Sequence, residues 1–315
     1  MKITEHYAKA TQPLISFEII PPKRGSSIKP LFESLDQISK FNPPFIDVTS
    51  HAAEAYYEEL PDGTVKRHIK RKRPGTIGLC AAIKHKYNVD PVPHIICKGF
   101  SKEETEDALI ELNFLGIHNV LAIRGDDHGI SKPISKDKSI NTYAVDLVKQ
   151  IKSMNQGNYL EKMLDAEPTD FCVGVAAYPE KHFEAPNLAW DIKRVQEKIE
   201  AGADYIVTQL FYDNQVYFDF VKSCRDAGIT CPIIPGLKVI TTANHITSLP
   251  KSFHINIPVA LSDEITANPS RAREIGIEWS SMQAKELLAH NVCGLHYYIM
   301  ANPSPSVKVI ESLGL

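Results

Sequence analysis

Three times in this chain an amphipathic run closes on a glycine and a short, mostly apolar run begins a few residues later. Gly116 precedes 119–123, Gly202 precedes 205–211, and Gly228 precedes 232–235. Glycine ends helices because it adopts the left-handed C-cap conformation without steric cost. A short apolar run bounded in this way reads as a strand buried on both faces. The pattern is that of a parallel sheet whose strands alternate with helices. Extending it along the chain predicts strands at 14–20, 45–49, 93–97, 119–123, 171–177, 205–211, 232–235 and 294–300. Helices are predicted at 28–41, 76–84, 101–115, 142–153, 188–199, 213–224 and 270–289. Ser101 and Glu104 form an S-x-x-E capping box, and Asp213 caps the helix after it. Strands and helices interleaved in this number over 315 residues fit a (β/α)8 barrel better than an open sheet. The reading is an α/β chain forming a single catalytic TIM-type barrel over 1–315, with an extra helical segment before the last strand and no regulatory domain.

Composition narrows the partners. A net charge of −3 argues against nucleic acid or an anionic membrane as the main partner. No apolar run approaches the ~20 residues that span a bilayer, and 1–13 lack the apolar core of a signal peptide. Six cysteines occur without a C-x-x-C pair, which reads as free thiols in a reducing cytoplasm. There is no G-x-G-x-x-G after a strand, no P-loop, no H-E-x-x-H and no G-x-S-x-G. A metal site is not expected.

In a barrel of this kind ligands bind at the carboxyl ends of the strands. The apolar run 120–123 ends there in Arg124, Gly125 and Asp126. On these residues alone, Arg124 and Asp126 either pair with each other or cap the next helix, or they serve a ligand. Glu18 sits between Phe17 and Ile19. It is either a solvent-facing residue of an edge strand, as its neighbouring prolines allow, or a buried carboxyl whose raised pKa suits a general acid. Thr49, Tyr178 and Gln209 fall at or near the same rim. His94, at the start of its strand, reads alone as a hydrogen-bonded structural histidine. The basic run 66–73 within the polar stretch 50–74 is either a solvated loop face or an attractor for a phosphate-bearing cofactor. The polar stretch 154–170 reads as an insertion.

Taken together, SFEIIPP (16–22), FIDVTS (45–50), PHIIC (93–97), LAIRGD (121–126), YAVDLV (143–148), AAYPEKH (176–182), KIEAGADYIVTQLFYD (198–213) and IIPG (233–236) resemble the bacterial methylenetetrahydrofolate reductases. The match runs from about residue 14 to 300. The resemblance implies a flavoenzyme that binds FAD, takes hydride from NADH or NADPH, and reduces 5,10-methylenetetrahydrofolate to 5-methyltetrahydrofolate for methionine synthesis. It implies that Glu18 is the general acid that opens the folate ring, that Asp126 acts near flavin and pterin, and that Gln209 and Tyr298 contact the substrate. Thr49, His94, Arg124, Gly125 and Asp126 match positions that hold FAD. So do Tyr143, Ala144, Asp146, Tyr178, His182, Asp191 and Lys198. It also suggests a homo-oligomer and no inhibition by S-adenosylmethionine.

The chain departs from the family pattern where P-G-[IL]-x-P reads Pro235-Gly236-Leu237-Lys238-Val239, where Ala243 replaces an aromatic, and where Asn302 replaces a basic residue. All three lie on the substrate side. Two other readings remain open: a barrel lyase or aldolase with Lys238 as Schiff-base nucleophile, and a non-catalytic flavin-binding barrel. A negative Asp126 beside the flavin would disfavour its anionic reduced form. Asp126→Asn is therefore expected to raise the flavin potential in a spectroscopic redox titration, and an unchanged potential would refute that role.

Overall fold

The computed structural model describes residues 1–125 and 134–314. After α1 (Ile3–Lys9) come β1 (Leu14–Ile19), α2 (Lys29–Ser39) and β2 (Phe45–Val48). A hairpin, β3 (Ala53–Glu59) and β4 (Val65–Arg71), precedes α3 (Thr76–Tyr87), β5 (Asp90–Ile96), α4 (Lys102–Phe114) and β6 (Asn119–Ile123). Next are α5 (Ala144–Met154), β7 (Cys172–Ala177), α6 (Leu188–Glu200), β8 (Tyr205–Thr208) and α7 (Asn214–Asp226). Then follow β9 (Ile233–Ile234), β10 (Gly236–Leu237), α8 (His245–Phe253), α9 (Val259–Ala267), α10 (Ala272–Ala289), β11 (Gly294–Met300) and α11 (Ser304–Leu313).

The main sheet runs β10-β11-β1-β2-β5-β6-β7-β8-β9, with every pairing parallel. Its two ends are consecutive in sequence. Pro235, which has no N–H to give to a ladder, separates β9 from β10. Its carbonyl still accepts from His296 N at 3.0 Å, and Pro232 O accepts from Ile206 N at 2.9 Å. One kinked strand thus pairs with β8 in its first half and with β11 in its second, which closes the ring.

Alternation along the strands sorts the side chains. Ile15, Phe17 and Ile19 of β1, Ile46 and Val48 of β2, and Leu295, Tyr297 and Ile299 of β11 face the helices in one continuous core. Phe45, Val92, Leu121, Cys172, Tyr205, Val207 and Ile234 face inward around Ile3 of α1. That short helix plugs the amino end of the barrel. Asn119 fixes it there: its Oδ1 accepts from Ile3 N and its Nδ2 donates to Met1 O, both at 2.9 Å. Asp90 adds contacts to the N-terminal amine at 2.9 Å and to His6 Nε2 at 2.7 Å. The opposite, carboxyl end is the one left for chemistry.

The barrel and the helices before its last strand agree with the sequence reading. Three features differ from it, the first being α11, a helix after the last strand where none was read. Residues 1–13 contain a helix that the pattern analysis did not register. The stretch 50–74, read as a loop, forms the antiparallel hairpin β3–β4. Its strands are hidden in sequence because charged residues occupy both faces. They hold together by cross-strand pairs, with Glu58 bonded to His68 at 2.7 Å and Tyr56 stacked on His68 at 4.8 Å. The basic run is therefore largely a solvated strand face.

Asn119→Ala would leave the buried Ile3 N–H without an acceptor. It is expected to cost about 1–3 kcal/mol in urea unfolding and to speed amide exchange in α1. Unchanged stability and exchange would contradict the role of α1 as a plug.

Candidate active site

Parallel register brings the interior polar residues together. Glu18 stands opposite Tyr298 on β11 and opposite Asp47 on β2, so all three side chains point into the barrel. Because β1 lies between two strands, the edge-strand alternative for Glu18 falls away; its side chain is 12% exposed. His94, one strand further round on β5, puts Nε2 3.4 Å from Glu18 Oε2 and 3.5 Å from Asp47 Oδ2. Asp47 is wholly buried, and burial raises its pKa well above the usual carboxylate range. His296, also inward-facing, meets Ser16 Oγ through Nδ1 at 2.8 Å. Burial pushes its pKa down to about 3, so it is neutral.

Tyr298 donates its hydroxyl to Thr208 O at 2.6 Å. This approach needs Gly236, where an added Cβ would lie 2.6 Å from the Tyr298 hydroxyl and 2.1 Å from Thr208 O. Lys238 follows just past the same strand and donates to Tyr298 O at 3.4 Å. Burial lowers its pKa, while Glu18 pulls it the other way. Gln209 extends just past β8, with its amide donating to Ala177 O and its Oε1 accepting from Leu210 N.

A second cluster lies over β6 and β7. Arg124 forms two bonds with Glu184, at 2.7 and 3.0 Å. Among the described residues Glu184 is a carboxylate paired with Arg124, and Asp126 lies outside the described residues. Gly125 has φ +88°, a conformation costly for other residues. His182 packs edge-on to Tyr178 at 4.7 Å, and its backbone N–H donates to Asp191 Oδ2 at 2.7 Å. Lys198 donates to Ala176 O at 2.5 Å, and burial lowers its pKa to about 8. Tyr143 and Ala144 open α5, where Asp146 Oδ2 accepts from Tyr143 N at 3.0 Å. Thr49 sits at the end of β2 with its backbone bonded to Ile19 and Thr76.

The structure thus gathers Glu18, Tyr298, Gln209 and Lys238 at the barrel mouth, and the Arg124–Lys198 group beside it. The imidazole of His94 belongs with Glu18 inside the barrel. Asp47, Ser16 and His296 were not singled out from sequence. The signal available was the period of two, which sets Phe45 and Asp47 on one face and Ile46 and Val48 on the other. Among the departures, Asn302 is engaged locally, its Oδ1 accepting from Ser304 N at 3.2 Å. Val239 belongs to the main core, and Ala243 packs against a small apolar cluster with Leu210, Tyr212 and Ile240. Among the described residues, no His/Cys/Asp/Glu group has the makings of a metal site.

Comparison with known proteins gives a consistent picture. Residues 2–314 match the family model described as methylenetetrahydrofolate reductase. The chain is 30% identical over 331 residues to methylenetetrahydrofolate reductase (NADH) 1 of Arabidopsis thaliana, covering 100% of this chain and 51% of that protein. It is 27% identical over 305 residues to the 5,10-methylenetetrahydrofolate reductase of Salmonella typhimurium, covering 96% and 90%. The chain spans about half the length of the plant relatives it matches. A Clostridium thermocellum protein, solved with two copies of 5-methyl-5,6,7,8-tetrahydrofolic acid, shares the fold at TM-score 0.60 and 13% identity, with 99% of each chain covered.

Lys198 yields a stability prediction. Its folded pKa of about 8 lies below the ordinary lysine value of 10.5, so the unfolded chain binds more protons between those values and stability rises with pH there. The cost of the buried ammonium is full below pH 8 and fades toward 10.5. Lys198→Met is expected to raise the unfolding midpoint of the ligand-free protein at pH 7, with a gain that shrinks above pH 8. A pH-independent loss of stability would contradict this.

Proposed function

Because this chain belongs to the methylenetetrahydrofolate reductase family, we propose that it reduces 5,10-methylenetetrahydrofolate to 5-methyltetrahydrofolate, drawing on NADH or NADPH through bound FAD. The observation that carries the reading is Glu18, a carboxyl held inside the barrel mouth beside His94 and opposite Tyr298.

The residues present fit the flavin. Lys198 is a buried ammonium that donates to the Ala176 carbonyl, which leaves N–H donors for a diphosphate. Thr49 Oγ1 is buried with no hydrogen-bond partner among the described residues. On this reading Lys198, His182 and Arg124 meet the diphosphate. Thr49, Tyr178 and the start of α5, with Tyr143, Ala144 and Asp146, border the rest. Gly125 permits close backbone approach, Asp191 orients His182, and Asp126 stands by the flavin and pterin. FAD held there would supply the hydride chemistry that links the nicotinamide to the folate.

The protein's own task is the proton. Opening the folate ring asks for a proton on a poor leaving nitrogen, and Glu18 is placed in the wall to give it. Tyr298 and Gln209 hold the pterin. A product methyl group of this kind serves methionine synthesis. We read the residues 1–315 as one catalytic barrel, and a homo-oligomer in the cytoplasm suits the family. The full-length family match favours this reading over a Lys238 lyase and over a non-catalytic flavin barrel.

The test is the visible spectrum of FAD-loaded protein without oxygen. Flavin bands should bleach with NADH or NADPH and recover on adding 5,10-methylenetetrahydrofolate. A protein that stays colourless after incubation with FAD would contradict the proposal. Glu18→Gln is expected to bleach at the normal rate but to recover ~10²–10⁴ times more slowly. Equal recovery in the variant would remove Glu18 from the acid role.

A further inference from the structure

The barrel interior holds a carboxyl that the reaction as described does not use. Asp47 is fully buried, and neither of its oxygens has a hydrogen-bond partner among the described residues. His94 Nε2 stands 3.5 Å from its Oδ2 and 3.4 Å from Glu18 Oε2. One ring nitrogen therefore faces two carboxyls. It carries either one lone pair or one hydrogen, so a strong hydrogen bond to one carboxyl weakens its hold on the other.

An ionised carboxylate without partners in a closed core is costly, and burial accordingly drives Asp47 toward its protonated form. A protonated Asp47 donates its O–H to Nε2. Contacts of this length in a ligand-free site commonly tighten in the working complex. With its lone pair so occupied, the imidazole is neutral, carries its hydrogen on Nδ1, and cannot accept the proton of Glu18.

We propose that Asp47 is a positioning residue for the acid step: by hydrogen-bonding His94 Nε2 it keeps the imidazole from deprotonating Glu18, which then meets the folate as a carboxylic acid. The inference rests on the reductase reading above. In that step the Glu18 O–H proton passes to the folate N10 as the methylene–N10 bond breaks. The bonding pair stays on N10, the methylene carbon remains as an iminium on N5, and Glu18 is left as a carboxylate. Water reprotonates it once product has gone.

Among the described residues, the other groups facing this set leave the assignment standing. His296 of β11 is neutral and bonded to Ser16 of β1. Tyr7 of α1, Tyr205 of β8 and Tyr298 of β11 all feel Asp47, as does Cys80 of α3, and burial keeps all four protonated. Lys238, just past β10, acts on Glu18 as a cation whose own charge burial weakens.

The experiment uses FAD-loaded, NADH-reduced enzyme mixed rapidly with 5,10-methylenetetrahydrofolate across pH, with flavin recovery as readout. Asp47→Asn keeps an N–H donor for Nε2 and is expected to follow the unaltered protein. Asp47→Leu removes the donor. Its alkaline limb should move down by about one pH unit, with recovery about tenfold slower on that limb, while reduction by NADH is unchanged. A folded Asp47→Leu protein with the original limb overturns the proposal, as does an Asp47→Asn protein that behaves like Asp47→Leu. Nitrogen-15 NMR of the unaltered protein tests it even if Asp47→Leu does not fold. The histidine signal lost in His94→Gln should report a neutral ring with its hydrogen on Nδ1 at pH 7, and an imidazolium or an Nε2–H ring overturns it. If the unaltered flavin never recovers with the folate, the reductase reading fails, while the NMR result still decides the Asp47–His94 bond.

Discussion

The register of β1 between β11 and β2 is the constraint on which the site depends. Glu18 is opposite Tyr298 on one side and Asp47 on the other. A slip of one residue would turn Glu18 toward the helices and bring Phe17 or Ile19 into the barrel, exchanging every inward side chain for an outward one. Closure holds the register. The kinked strand at Pro235 ties β8 to β11, and α1 fills the amino end, so the carboxyl end is the one left open for the site.

Two electrostatic environments sit side by side at that end. Inside the mouth, Asp47 and His296 are pushed by burial toward their uncharged forms, which suits a place where a proton must be kept until needed. Over β6 and β7, Arg124 and Lys198 keep positive charge, which suits an anion. Glu184 neutralises Arg124 for the present, and an entering diphosphate would compete with that exposed pair. Such surface pairs are weak, so the exchange costs little.

Much of this was legible in sequence, for physical reasons. Strands buried on both faces are short apolar runs, and glycine C-caps precede three of them, so the barrel could be read. Glu18 stood out because a carboxylate within an apolar strand demands an explanation. Asp47 did not, because FIDVT reads equally well as a strand with one polar residue, and only the closed ring shows that its inward face is dry. The Arg124–Glu184 pair joins residues far apart in sequence, which no local pattern encodes. The hairpin β3–β4 escaped for the opposite reason: both of its faces are solvated, so hydrophobic periodicity carries no signal there. Asp126, central to the family resemblance, lies outside the described residues.

The most direct test of the central claim is a crystal structure of the FAD-loaded protein with 5-methyltetrahydrofolate bound. The account predicts the pterin at the barrel mouth, with the Glu18 carboxyl within about 2.6–3.2 Å of the folate N10 and the FAD diphosphate against Lys198. A folate whose N10 points to solvent, with Glu18 still turned toward His94 inside the barrel, would contradict it.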